Sequence, residues 1–429
     1  MIFLSGSRSQ PFFGIWVIRA TFVLAIFGWG LGFYGPPIYL AEVVQRTNWS
    51  LSLVSSAVTL HFLVGALVIA NLPRLYALIG LSATTVGGAV LTAAGVVGWA
   101  IFQEPWQLFF VAILTGAGWV TMGAVAVNTI IANWYHKYRP MALSKAYNGA
   151  SVGGVIFSPL WVALIGWWGF GVAASVVGLV AVVVVLLLAF YVFTKTPESL
   201  GQGPDGEGPE TEASHSGPNR KQAQPGRLLW RNGAFITLSA GMAIGLFAQI
   251  GLLAHLFNIL SPAVGDQRMG WLMGLGTACA IAGRSIAARA VHRFGNQRIV
   301  AAVGYVVQAC GSAVLLLSGG HSVWLITVGV ILFGSGIGNA TSIPPLIAQS
   351  DFAPEDVSRV VALIVAIGQG TYAFAPAFFG MLQTDVYGGS DAVESPFFVV
   401  AIGIQLLAAA AYLAYRKPSG LPRLPASRA

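Results

Sequence analysis

Charge is what this chain has least of. Asp, Glu, Lys and Arg make up 8% of its 429 residues, against about 25% in an ordinary soluble domain. With 56% of the residues hydrophobic, too little polar surface exists to cover a folded body in water. Lipid must be the solvent for most of the chain. Cysteine is almost missing: Cys279 and Cys310 stand inside apolar runs, which excludes a disulfide framework. No spacing of Cys, His, Asp or Glu matches a metal site. No nucleophile with its base and no phosphate loop is present, so no enzyme and no cofactor is expected. No cleavable signal peptide is evident; the short opening MIFLSGSRSQPFFG leads into an apolar run that reads as an uncleaved anchor.

What is present is a series of long apolar runs. A spanning helix needs about 20 such residues. Runs of that kind cover 14–41, 52–72, 81–101, 107–132, 141–165, 170–194, 233–258, 270–290, 299–318, 323–347, 358–382 and 396–415. The expected fold is therefore an all-α membrane protein with twelve transmembrane helices. Residues 195–231, rich in Pro, Gly and Glu, interrupt the series and cannot build a core. The organisation that follows is an arm at 1–13, a six-helix bundle at 14–194, a flexible central loop at 195–231, a second six-helix bundle at 232–415 and a tail at 416–429. A faint repeat pairs Arg74 with Arg293, and Gly149 with Gly368, each of these glycines standing ahead of a proline (Pro159 and Pro376). Near-equal halves and this repeat favour two pseudo-symmetric bundles.

The net charge of +8 is a topology signal and not a nucleic-acid footprint. With the N-terminus inside, outer loops hold only Arg46 and Arg268 of the 22 basic residues, and they collect Glu42, Glu104, Asp266, Asp385, Asp391 and Glu394. That is the positive-inside pattern of a multi-pass inner-membrane protein with both termini cytoplasmic. The basic tail could also touch anionic lipid.

Negative charge is missing from the apolar runs. All fourteen acidic residues are read as lying in loops or at helix ends. The one deep cation is Arg284. An intramembrane ion is costly and by default functional, and a guanidinium can hold a carboxylate with a bidentate fork. The alternative is that Arg284 snorkels or ties helices together, as Arg19 at the start of the first helix is expected to do. His61 and His255 could exchange a proton near neutral pH, or could simply be hydrogen-bonded packing residues. Asn128, Asn148, Gln249, Gln308, Asn339 and Gln369 either line a cavity or bond neighbouring helices. Tyr34, Tyr39, Tyr147 and Tyr372 could donate to a substrate oxygen, Tyr372 lying one turn beyond Gln369 on the same face. Trp29 could stack on an aromatic substrate or serve in packing. The glycines of helices four, five, ten and eleven are expected to let helix backbones approach and slide, and the prolines of Ser342-Ile343-Pro344-Pro345 and Ala375-Pro376 to kink the tenth and eleventh helices.

In architecture the whole chain resembles the major facilitator superfamily: six plus six helices, a long central loop and basic turns after helices two and eight. That family's Gly/Asp/Arg/Gly loop signature is reduced at Asn71-Leu72-Pro73-Arg74 through Gly80 and fuller at Gly283-Arg284 through Arg293-Phe294-Gly295, without its acidic position. Within the family the chain most resembles the monocarboxylate transporter and oxalate/formate antiporter branch. Trp134-Tyr135-His136-Lys137-Tyr138-Arg139-Pro140-Met141-Ala142, followed by Asn148-Gly149 and Gly153, carries that likeness. Arg284 matches the branch's arginine in helix eight. Ala280 stands where the monocarboxylate transporters have an aspartate, and the lysines that the branch uses in helices one and eleven have no counterpart.

The resemblance implies a secondary transporter working by alternating access, with gating roles for Arg74, Arg139, Gly149, Gly153 and Arg293. The expected passenger is a small organic anion, a monocarboxylate or aromatic acid. The substrate-binding candidates are Arg284, Tyr34, Asn128, Tyr147, Asn148, Gln249, Gln369 and Tyr372, with His61 and His255 as proton-coupling candidates, by symport or antiport. A neutral aromatic solute or vitamin, or efflux of a drug or metabolite, is the alternative. The expected partners are that small molecule and the lipid bilayer, with no metal, no nucleic acid and a monomeric state.

Overall fold

The computed structural model describes residues 12–206, 226–383 and 395–415. Most of the N-terminal arm, the middle of the central loop, the loop carrying Asp385, Asp391 and Glu394, and the C-terminal tail lie outside the described residues. Within them every regular element is helical. In the first half these are α1 (Gly14–Gly32), α2 (Pro36–Thr47), α3 (Leu51–Ile79), α4 (Leu81–Ile101), α5 (Pro105–Trp119), α6 (Ala124–Trp134) and α7 (Arg139–Leu188). A one-turn α8 (Gly226–Leu229) precedes the second half. That half holds α9 (Gly233–Val264), α10 (Asp266–Phe294), α11 (Gln297–Leu317), α12 (Val323–Ile337), α13 (Asn339–Asp351), α14 (Pro354–Tyr372), α15 (Ala375–Met381) and α16 (Ser395–Ala414).

Among the described residues, eleven stretches are long and apolar enough to cross a membrane. One of them, Met141–Phe193, has 53 residues, about 80 Å of helix at 1.5 Å per residue. That is far more than a ~30 Å hydrocarbon core. It doubles back at Gly169, whose φ of 74° leaves the helical region and suits a residue without a Cβ. The packing shows the reversal: Ala142 and Ala146 share a core with Val185 and Phe193, while Trp161 and Phe170 belong to a different one. Counted as two passes, this stretch makes twelve, as the apolar runs require.

Four passes are broken in mid-course. The first breaks at Phe33–Gly35 ahead of Pro36 and Pro37, and the fourth at Gly123. The tenth breaks at Gly338 and the eleventh at Ala373–Phe374 ahead of Pro376. The expected kink at Pro344-Pro345 falls elsewhere: both prolines stay inside α13 and the interruption at Gly338 comes nearly two turns earlier. A proline ring clashes with the carbonyl four residues before it, so the strain is relieved on its N-terminal side.

Other boundaries also differ from the apolar runs. The first pass continues through α2 to Thr47 and carries Glu42 within a helix, half-buried, and not in a loop. The third helix runs to Ile79, so Arg74 and Pro73 lie inside it and not after it. Both passes continue as regular helix beyond the point where the side chains cease to be apolar. The start of the central loop is also more ordered than its composition suggests. Phe13 N–H donates to Gln202 Oε1 at 3.0 Å. The Asp205 carboxylate accepts from the backbone N–H of His136, Lys137 and Tyr138 at 3.0, 2.7 and 3.2 Å. Residues 195–206 are thereby tied to the first half.

The hydrophobic core has three parts. One is shared by both halves and includes Tyr39, Val58, Trp161, Ile250, Phe257 and Phe379. It lies at the end of the bundle away from the central loop, called here the far end. At the loop end the core splits: Leu24, Ile130 and Ala146 belong to the first half, and Phe235, Tyr305 and Ile343 to the second. The halves are thus joined at the far end and built separately toward the loop end.

Candidate functional site

The site lies where α7 and α10 cross between the halves. These helices approach closely because small residues face each other. Thr277 lies against Gly154, and Gly274 against Val155 and Pro159. α7 in turn sits on α1 through Gly149 and Gly153, where a Cβ would strike the carbonyl oxygens of Phe22 and Ile26, the latter at 2.6 Å. Close backbone approach of this kind needs the smallest side chain.

Arg284 occupies the loop-end side of this crossing. Its Nη2 donates to Ser151 Oγ of the other half at 3.5 Å, the limit of a hydrogen bond. Its Nε is buried with no partner, and it lies near Gly338, at the break in the tenth pass. Arg298 pairs with Asp351 at 2.8 Å; among the described residues no carboxylate is paired with Arg284. The guanidinium of Arg284 therefore retains unused donors. Tyr34, 5% exposed, comes from the broken first pass. Its hydroxyl lies against the Thr277 side chain and within electrostatic reach of Arg284. Tyr34 and Ser151 from one half, and Arg284 and Thr277 from the other, thus form one polar cluster across the interface.

Beside the cluster runs a chain of aromatic rings. Tyr147 meets Trp29 edge-on at 6.1 Å, Trp29 meets Trp119 at 6.5 Å, and Trp119 meets Phe62 at 6.2 Å. Phe62 then meets Tyr372 of the other half at 5.7 Å. At the first-half end of this chain Asn128 donates to the Tyr147 hydroxyl, which itself donates to Ala124 O at 3.0 Å.

The remaining candidates are placed as follows. Asn148 and Gln369 are half-buried on α7 and α14. Gln249 is buried and accepts from Gln308 at 3.1 Å inside the second half, which ties α9 to α11 and leaves it apart from the cluster. His61 is buried with both ring nitrogens engaged, one with Thr115 Oγ1 and one with Gly32 O, each at 2.9 Å. It also stacks on Trp119. His255 donates from Nε2 to Pro376 O at 2.8 Å, while its Nδ1 is buried without a partner. Arg74, Arg139 and Arg293 are exposed at the loop end, Arg74 donating to Asn71 Oδ1 at 3.3 Å.

Ser151, Thr277 and the Phe33–Phe62–Trp119 rings were not singled out from the sequence. Thr277 stands seven residues before Arg284, hence on the same helical face, and Ser151 stands four beyond Tyr147. That spacing was the available signal. Also unforeseen was Arg298. Its Nη2 donates to Ala234 O at 2.8 Å and its Nη1 to Thr237 Oγ1 at 3.0 Å, while Nε holds Asp351. It is a structural hub at the loop end of the second half.

The family model of the Major Facilitator Superfamily matches residues 20–376. The chain belongs to this superfamily. Its members are membrane transporters, and the helical bundle described above is their fold. Solved structures agree. The nucleoside transporter NupG superposes with a TM-score of 0.71 at 9% identity, covering 93% of this chain and 98% of that one. A bacterial homologue of the human lysosomal transporter Spinster, inward-facing and unoccupied, gives 0.66 at 15% identity over 96% and 100% of the two chains. A peptide transporter in complex with sulfate gives 0.67 at 15% identity, with 95% of each chain covered. At these identities the likeness is one of fold. Comparison with curated protein sequences returns no match.

Proposed function

We propose that this chain is a secondary transporter that moves a small organic anion across the inner membrane by alternating access, its passenger's carboxylate held by Arg284. The observation that carries this is a half-buried guanidinium at the interface of the halves with a buried, unpartnered Nε and no described carboxylate paired with it. A buried charge left unpaired is costly, and an anionic passenger would satisfy it. Tyr34 and Ser151 add donors from the opposite half, so a bound anion would touch both. The loop-end halves of the bundle are separately cored while the far end is shared, which supports a state open toward the loop end. With the basic residues on the loop side, that side is cytoplasmic and the state is inward-open. The likeness at Trp134–Ala142 and Arg284 supports placement near the monocarboxylate branch.

The test is binding. Purified protein is screened by thermal shift against organic acids, neutral ring compounds and amines, since a ligand of the folded state raises the melting temperature. Acids are expected to stabilise and amines are not. Arg284→Gln should weaken acid binding about 10- to 100-fold, the range for losing a hydrogen bond to a charged group. Acid binding that is unchanged in Arg284→Gln would refute the assignment.

A further inference from the structure

The eleventh pass meets the first half at the far end through its broken segment. The pass stops at Ala373–Phe374 and restarts as α15, with Pro376 in the first turn. A helix start leaves its first N–H groups without partners inside the helix. The backbone ladder resumes at Phe378, which donates to Phe374 O at 3.1 Å. The N–H just before it, that of Ala377, is taken up by the other half: it donates to Thr59 Oγ1 of α3 at 3.0 Å. Thr59 is 7% exposed, so this bond is made away from water. One turn earlier on α3, Ser55 lies against Gly380, where a Cβ would come within 2.5 Å of the serine hydroxyl. That hydroxyl is buried and has no partner. On its other side α15 is held by its own half. His255 Nε2 of α9 donates to Pro376 O at 2.8 Å, and Phe379 packs on Phe247 and Phe397.

These contacts set the line along which the far end divides. The bonds of α15 to α9 lie within the second half, and its bond to α3 lies between the halves. Resting on the alternating-access reading, we propose that α15 is the far-end gate and that Thr59 is its latch, the threonine hydroxyl capping the Ala377 amide only while the far end is closed. When the halves part there, water takes over the Ala377 N–H and the Ser55 hydroxyl, and α15 leaves with His255 and the second half. The break at Ala373–Phe374 is what makes the latch available, because an unbroken helix would spend the Ala377 N–H on its own preceding turn. Gly380 supplies the geometric condition: without a Cβ there, α15 comes close enough to α3 for the bond to form. Loss of the Thr59 hydroxyl would leave the amide buried and unpaired in the closed form and hydrated in the open one. The cost therefore falls on the closed form alone, about fivefold to hundredfold in the equilibrium.

The experiment is a spin-label distance measurement across the far end, on the full-length protein in lipid and without added acid. Labels are placed at Asn48→Cys and Arg268→Cys, both exposed, in a background with Cys279→Ser and Cys310→Ser. Thr59→Val should raise the ratio of long to short distance about fivefold to hundredfold, the factor for stranding a buried donor. Thr59→Ser keeps the acceptor oxygen and should restore the native ratio; loosening through altered packing would persist in it, since serine lacks the methyl group. Gly380→Ala, which drives a Cβ into Ser55, should shift the ratio the same way, and it decides the matter if Thr59→Val melts early. A native mixture of distances that neither Thr59→Val nor Gly380→Ala changes overturns the latch and leaves alternating access standing. A shift in Thr59→Val that Thr59→Ser does not reverse also overturns it. One short distance in every form, with or without acid, sinks the alternating-access reading together with the latch.

Discussion

Arg284 and Arg298 are both arginines near the loop end of the second half, and their partners separate them. Arg298 has a carboxylate, a hydroxyl and backbone carbonyls around it; Arg284 has one distant hydroxyl. The first is spent on structure and the second is not. Asp351→Asn should therefore destabilise the protein, by about 2–4 kcal/mol. Removing one partner of a fully buried pair costs about 3–5 kcal/mol, and these side chains keep 9% and 11% of their exposure. A melting curve checks it, with no loss of melting temperature as the contrary result. At the loop between α6 and α7, burial and then Asp205 push the Tyr135 hydroxyl up to about 12, above its ordinary value near 10. From pH ~10 to ~12 the unfolded chain loses a proton that the folded chain keeps, so this group's contribution to stability falls as pH rises. Tyr135→Phe should lessen the drop in melting temperature between pH 9 and 11. The place of Arg284 inside a spanning helix was legible in the sequence, because a lone cation in an apolar run stands out. His61 was not, because nothing in the sequence shows that Thr115 and Gly32 would occupy both its nitrogens.

Helices were legible as apolar runs, and their breaks only in part. Ala375-Pro376 marked the right region of the eleventh pass, which is interrupted at Ala373–Phe374; the interruptions at Gly123 and Gly338 were not foreseen. Pro344-Pro345 pointed to the wrong turn, since the backbone yields before a proline and not at it. Helix ends were misread wherever the helix outlasts its apolar run, as at Arg74 and Glu42. Glycine packing is the feature of the elements most open to test. A Cβ at Gly283 would collide with the Ser335 carbonyl of α12. Gly283→Val should force α10 and α12 apart and lower the melting temperature. Gly171→Val, at a position with no heavy atom near its Cβ site, should be far milder; equal effects would contradict the packing account. The central loop was read as flexible from composition alone. Its first part is anchored by the Asp205 carboxylate on three amides and by the Phe13–Gln202 bond, which composition does not show. Asp205→Ala should raise hydrogen exchange at His136, Lys137 and Tyr138 and leave α3 unchanged.

Across the whole molecule, two bundles were legible from the twelve runs, the polar interruption and the charge bias. Their relative arrangement was not, because it depends on contacts between residues hundreds of positions apart. One such contact is Ala377 N–H donating to Thr59 Oγ1 at 3.0 Å. The far-end core is shared and the loop-end cores are separate; under alternating access a bound acid should reverse this. Spin labels at Asn133 and Gln349 report the loop end, and labels at Asn48 and Arg268 the far end, in a background with Cys279 and Cys310 replaced. Adding acid should shorten the first distance and lengthen the second. The most direct measurement is counterflow of a labelled organic acid, one that stabilises the protein in the thermal-shift screen, into proteoliposomes preloaded with the unlabelled acid. The native protein is predicted to accumulate label transiently, and Arg284→Gln, reconstituted in equal amount, to stay at the level of empty vesicles. Undiminished counterflow by Arg284→Gln would contradict the claim that this arginine carries the passenger.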